Sequence, residues 1–244
     1  MYPQSRATLL WSTNAKWLAT AFVALNFPLA QAIAGETLLL PSQEPASEDQ
    51  QGFSDRVDFA WGIAVNSNYI SDGLTQSADR PAMQGYGELS SGIVYSGVWL
   101  STVDLDGDTA EIDFYAGIRP QFGPLAVDIA YTRYFFDVSG NCCGVWTGKA
   151  DIAASDAITI NWQADIDPQS EIATIAVGAT FELAEKLGFS WTVHENLDDF
   201  ATDWNAGLTW SMTDTASVDF RYHGSELYEE RYVVTLAYDF STAR

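Results

Sequence analysis

Few residues of this chain have the types and spacing that catalysis or metal binding requires. His194-Glu195 precedes Asp198, Asp199 and Asp203, and His223-Gly224-Ser225 precedes Glu226, Glu229 and Glu230. A serine two residues from a histidine makes a hydrolase pair only when a third group orients the imidazole. The sequence shows none, so the competing reading is two rim histidines among solvated carboxylates. Asp104-Leu105-Asp106-Gly107-Asp108 opens like a calcium loop, with alternating carboxylates and a turn glycine. Such a loop needs a bidentate glutamate at its twelfth position, which is Tyr115 here. An EF-hand is therefore excluded. What remains is a loose cation site at Asp104, Asp106 and Asp108, or a hairpin turn made by the same residues. Cys142 and Cys143 are the only cysteines, and their adjacency rules out a zinc pattern built from them alone. Residues 139–144 read as a loop. An oxidising compartment would allow the pair to bridge, to each other or to another chain; two free loop thiols are the alternative. No cofactor motif is present.

A further set of charged residues stands at every second position of apolar segments: Glu88, Glu111, Asp113, Arg119, Asp128, Asp165, Asp219, Arg221 and Asp239. What they could do depends on the elements that hold them. From Val57 onward the hydrophobic period is two, the period of a β-strand. Phe59, Trp61, Ile63, Val65 and Tyr69 share one face, opposite Ala60, Gly62, Ala64, Asn66 and Asn68. Ile112, Phe114 and Ile118 oppose Glu111, Asp113, Tyr115 and Arg119; Val218, Phe220 and Tyr222 oppose Asp219, Arg221 and His223. A soluble sandwich also alternates, but its outer face is solvated and rich in long charges such as lysine. Beyond residue 34 the only lysines are Lys149 and Lys186, and the polar face is Gly, Ala, Ser, Thr, Asn and Asp. That composition suits an enclosed lumen, and closed barrels alone among β architectures leave no unpaired edge in lipid. The expected fold is all-β, a transmembrane antiparallel up-and-down barrel of about twelve strands. The strands are 57–70, 84–95, 97–104, 110–121, 124–135, 145–154, 157–166, 171–183, 187–195, 203–212, 216–223 and 231–240.

The connectors expected between these strands alternate. Tight turns fall at Ser96, Phe122-Gly123, Ser155-Asp156, 184–186 and 213–215, and longer loops at 71–83, 105–109, 136–144, 196–202 and 224–230; the seventh connector, Asp167 to Ser170, is short where the alternation asks for a longer loop. Short periplasmic turns and longer outer loops are the pattern of bacterial barrels. The terminal strand carries Tyr232, Val234, Leu236, Tyr238 and Phe240 on one face, the kind of ending that barrel assembly machinery reads, although four residues follow the last aromatic.

Ahead of the strands, residues 1–34 have the form of a signal peptide. Arg6 and Lys16 precede an apolar core, Trp17 to Ala30, that is too short to cross a bilayer, and Ala-x-Ala triplets follow. A retained anchor is the competing reading, against Pro28 and the alanine-rich end. Residues 35–56 read as a flexible acidic leader, and 57–244 as the barrel. The chain carries 33 acidic and 11 basic residues, net −22. Cleavage of the signal peptide would remove two positive charges and no acid, giving −24. Nucleic acid is excluded as a partner, since phosphate contacts need clustered Lys and Arg.

The segment Val65-Asn66-Ser67-Asn68-Tyr69-Ile70-Ser71-Asp72-Gly73-Leu74-Thr75-Gln76, with Pro81-Ala82-Met83-Gln84-Gly85, residues 97–104 and residues 111–117, resembles the proteobacterial Gcw_chp family, also labelled TorF-family porins. The likeness is specific over about residues 60–120. Family members often carry Arg before the loop glycine, where this chain has Asp72. The resemblance implies an outer-membrane barrel in a Gram-negative bacterium and leaves its activity open.

On this reading the partners are outer-membrane lipid and lipopolysaccharide, the assembly machinery and small solutes or cations. The expected function is passive diffusion of small solutes through a cation-preferring lumen, without enzymatic activity. A closed barrel with a binding, adhesive or structural role through its acidic outer loops is the alternative, and an outer-membrane hydrolase the third.

Overall fold

The computed structural model describes residues 56–242. The expected signal peptide, and the leader up to residue 55, lie outside the described residues. Fifteen strands follow one another: β1 (Asp58–Asn66), β2 (Ile70–Ser71), β3 (Leu74–Thr75), β4 (Ala82–Ser91), β5 (Val94–Leu105), β6 (Asp108–Ile118), β7 (Gln121–Phe122), β8 (Leu125–Phe136), β9 (Gly140–Ser155), β10 (Ile158–Ile166), β11 (Ala173–Ala184), β12 (Leu187–Asn196), β13 (Thr202–Ser211), β14 (Ala216–Ser225) and β15 (Arg231–Ser241). The twelve long strands pair antiparallel with their neighbours. β15 pairs with β1 and β6 with β8, so the sheet closes. β2 and β3 form a separate two-stranded hairpin, and β7 is a two-residue rung beside β8.

Alternation explains the closure. Along β1 the even positions Gly62, Ala64 and Asn66 are buried or half-buried and face in, while Phe59, Ile63 and Val65 are exposed. The outward set on the other strands includes Leu89, Leu100, Phe114, Ile129, Ile160, Val177, Leu208, Phe220, Val234 and Leu236. An apolar belt of this kind belongs against hydrocarbon, where a charged side chain near the midplane would cost about 2–4 kcal/mol. Aromatic pairs flank the belt at both strand ends. Trp61 stacks on Tyr238 and Phe240 at one, and Tyr131 on Trp146 (5.1 Å) and Tyr222 on Tyr232 (5.3 Å) at the other. No helix among the described residues is long and apolar enough to cross a membrane.

Four details depart from the sequence reading. The turn expected at Ser96 lies at Gly92-Ile93, and Ser96 is inside β5, paired with Leu89 and Ala116. The loop expected at 105–109 is a two-residue turn in which Asp106 (φ 46°) and Gly107 (φ 103°) are both left-handed, the backbone that Asp-Gly hairpins favour. The expected loop 136–144 shrinks to three residues, because β9 extends to Gly140. Its cysteines lie in that strand, at a bulge where Arg133 pairs Gly144 and Phe135 pairs Asn141, and they are joined as a vicinal disulfide. Finally, β1 ends at Asn66 rather than 70. The parity of the strand breaks there, so Tyr69, read as outward, is 1% exposed inside the barrel.

Candidate functional site

The interior divides into two halves. Between β1 and β8 it is packed. Tyr69, Tyr86, Tyr95, Trp99, Val103 and Tyr115 form one buried cluster, with Tyr69 edge-on to Trp99 at 5.7 Å. Arg119 lies 3.9 Å above the Tyr95 ring. Its Nε donates to Asp128 (2.9 Å) and its Nη1 to Glu88 (3.1 Å), while the Tyr95 hydroxyl donates to the other Asp128 oxygen (2.5 Å). Glu88, Asp128 and Arg119 are thus one ion-pair network locked among aromatic rings. Glu111 accepts from the Tyr69 hydroxyl (3.3 Å), Asp113 is wholly buried opposite Trp99, and Asp239 lies with Tyr86 against Gly62, where a Cβ would collide with both.

Between β8 and β14 the interior is a polar cavity of about 290 Å³. Thr147, Lys149 and Asp151 line it from β9, Asn161, Gln163 and Asp165 from β10, Thr180 from β11, Ser190, Thr192 and His194 from β12, Asp203 and Asn205 from β13, and Arg221 and His223 from β14. Short side-chain bonds order this wall. Thr147 and Gln163 both donate to Asp165 (2.5 Å each), and Asn161 donates to Asp151 (2.7 Å). Arg221 donates to both oxygens of Asp219 (3.1 and 3.0 Å), to Asn205 (2.7 Å) and to Ser190 (2.9 Å). His194 Nδ1 is 3.0 Å from Asp203. Acids outnumber bases along the cavity, with Asp72, Asp151, Asp165, Asp167 and Asp203 set against Lys149 and Arg221.

The loop after β1 closes over this cavity. Its hairpin turns at Asp72 (φ 49°) and Gly73 (φ 74°), with Ile70 paired to Thr75 and Ser71 to Leu74. Residues 70–73 line the cavity. A Cβ on Gly73 would stand 2.8 Å from Ser225 Cβ and 3.2 Å from Asp203 Cβ. Only glycine combines that left-handed backbone with so close an approach. Burial holds the Asp72 carboxyl above its ordinary pKa; the nearby Asp203 carboxylate adds to the rise and His194 opposes it.

All nine charged lumen candidates from the sequence lie on inward positions, in two different settings. Glu88, Glu111, Asp113, Arg119, Asp128 and Asp239 belong to the packed half. Asp165 and Arg221 line the cavity, with Asp219 behind Arg221. The cavity residues Asp72, Lys149, Asp151 and Asp203 were not among the lumen candidates, although Asp203 stood among the carboxylates beside His194. The parity of Thr147, Lys149 and Asp151 along β9 was the signal that could have found the middle two. The three cation candidates do not converge. Asp104 pairs with Arg80, Asp106 sits in an exposed two-residue turn, and Asp108 accepts from the Val138 and Ser139 amides and the Ser139 hydroxyl. No group of three or more His, Cys, Asp or Glu that could hold a metal occurs among the described residues. Ser225 accepts from the Leu227 amide (3.2 Å) and packs on the loop tip, an arrangement that supports the hairpin rather than a nucleophile.

This is the architecture of a closed, twelve-stranded membrane β-barrel. Residues 50–163 match the family described as "Bacterial protein of unknown function (Gcw_chp)", so the family signature seen in the sequence extends over β1 to β9 and into β10. Among solved structures the chain is similar to the KdgM porin, at 7% identity and TM-score 0.58, over 75% of this chain and 99% of that one. The same porin, solved with disordered oligogalacturonate, matches equally well. A chain from work on in-meso crystallization of membrane proteins matches at 8% identity and TM-score 0.53, over 77% of this chain and 85% of that one. No curated protein matches the sequence.

Proposed function

We propose that this protein is a diffusion channel of the bacterial outer membrane that admits small solutes and prefers cations. The observation that carries the proposal is the polar, acid-rich cavity inside a closed barrel whose outer surface is apolar. Fixed negative charge along a narrow passage raises the local concentration of cations. The packed half confines that passage to the wall between β8 and β14. Oligogalacturonate, the ligand solved with the KdgM porin, is a polyanion, and the aspartate excess here disfavours such a solute. The apolar belt would face outer-membrane lipid and lipopolysaccharide, and the terminal strand, β15, would engage the assembly machinery.

The test is single-channel recording of the refolded mature protein in a planar bilayer under a salt gradient. Discrete steps with a reversal potential on the cation side are expected. Insertion without conductance would overturn the channel in favour of a closed barrel that binds through its loops.

A further inference from the structure

The hairpin at the mouth is held by contacts of two unequal kinds. At its base, Tyr69 and Ile70 are each 1% exposed. The Tyr69 ring packs on Trp99, its hydroxyl reaches Glu111, and its backbone amide donates to Ser77 Oγ (3.0 Å). Asn68 Oδ1 accepts from both Thr75 (2.7 Å) and Ser77 (2.9 Å). Tyr69 is thereby built into the packed half and cannot move without unpacking it, whereas Thr75 and Ser77 are tied to Asn68 by side-chain hydrogen bonds.

The returning limb is held differently. Asp79 receives Arg231 of β15 through two oxygens (2.5 and 3.2 Å), and Arg80 pairs with Asp104 of β5. Both ion pairs involve solvent-exposed partners, where water and salt compete for the charges. Between them and the hairpin, Ala78 (φ 52°) and Asp79 (φ 58°) are two successive non-glycine residues in the left-handed region. Such backbone is strained and persists only where its surroundings impose it. Here those surroundings include the Arg231 pair, the Asn68–Asp79 hydrogen bond (2.7 Å) and the bond from the Asp79 amide to Thr75 Oγ1 (2.9 Å), which couples the limb to the hairpin. A strained limb behind a weak clasp favours withdrawal of the tip once the clasp opens.

We infer that the 70–75 hairpin is the specificity-determining constriction of the passage, a strap whose tip seats on Ser225 and Asp203 and whose release is controlled by the Asp79–Arg231 clasp. The inference rests on the channel reading. With the tip seated, Asp72 and Gly73 stand in the mouth of the cavity and set its width. With the clasp open, the base stays in place, the tip withdraws and the mouth widens. Charged and bulky solutes then pass less selectively.

Three substitutions test this by planar-bilayer conductance and by swelling of liposomes in neutral saccharides of increasing size. Asp79→Asn keeps an acceptor for Asn68 and removes the charge that holds Arg231. It should shift the step to larger amplitude and raise the size cut-off, and Arg231→Gln should do the same. Gly73→Ala should unseat the tip, because its Cβ would collide with Ser225 and Asp203 on a left-handed backbone, and should raise the step amplitude and the cut-off likewise. A conducting wild type with unchanged steps and cut-off in all these variants would overturn the strap while leaving the channel standing. Silence of the wild type and every variant would overturn both.

Discussion

The two halves of the barrel use the same residue types to opposite ends. In the half from β1 to β8, acids and one arginine are wedged among Tyr86, Tyr95, Trp99 and Tyr115. In the half from β8 to β14, comparable charges are spaced by Asn, Gln, Ser and Thr around open volume. Charge on an inward face therefore does not by itself mark a pathway. What decides is which side chains meet the charge inside the barrel. Tyr95 and Arg119 cover Asp128, whereas Asp165 is flanked by Thr147 and Gln163.

The largest effect that would sharpen this contrast is on stability. Arg119→Met removes the guanidinium bonded to both Glu88 and Asp128 and leaves their carboxylates among rings. Removing one partner of a buried ion pair costs about 3–5 kcal/mol. The variant should lose heat-modifiable mobility on gels, or unfold at much lower urea than the parent. An unchanged urea midpoint would show that this half is wetter than its packing implies.

A smaller effect, on transport rather than folding, is expected in the other half. Asp151→Asn and Asp165→Asn each keep an acceptor for the bonds from Asn161, Thr147 and Gln163 while removing one negative charge. Each should move the reversal potential toward zero selectivity with little change in urea midpoint, and the two shifts should add. If the double variant kept the parental reversal potential, the conducting path would lie elsewhere than between β8 and β14.

These contrasts were unevenly legible in the sequence. Period-two alternation gave the closed barrel, because a lipid-facing set such as Ile63, Leu100 and Leu236 reads the same wherever it occurs. It also gave the inward parity of charges such as Asp128 and Arg221. Turn placement failed where turn chemistry was overridden by apolar continuity. Ile93, Val94 and Tyr95 look like one strand, yet Gly92 (φ 57°) and Ile93 turn the chain between Ser91 and Val94. The division into halves was not legible, since it depends on which rings meet across neighbouring strands. Nor was the inward fold of the loop after β1, although Asp72-Gly73 between Ile70 and Thr75 carries the Asp-Gly hairpin signal. The family signature is concentrated in that same loop, over residues 65–76, which is why its resemblance pointed at location and not at mechanism.

The smallest expected effect is the pH response of the mouth, where the two halves meet. Asp72 is surrounded by Asp203 of β13, Asp165 of β10, His194 of β12 and Tyr134 of β8. Seating the tip holds its carboxyl above the ordinary value, by burial first and then by Asp203. The seated tip is therefore penalised by ionisation. The penalty is absent where Asp72 is protonated in both positions, and it sets in as pH rises past about 3.9, the ordinary aspartate value. It is complete above the raised value of the seated state. Acidification through that window should seat the tip more often and lower the mean conductance, and protonation of His194 would pull the same way. The clasp survives the window, because Arg231 holds the Asp79 carboxyl below its ordinary range, so its contribution fades only at lower pH. Asp72→Asn should flatten the response and leave conductance at neutral pH near or below the parental value. His194→Gln with the response intact would assign it to Asp72 alone. A parental pH profile in Asp72→Asn would show that the tip does not titrate with the mouth.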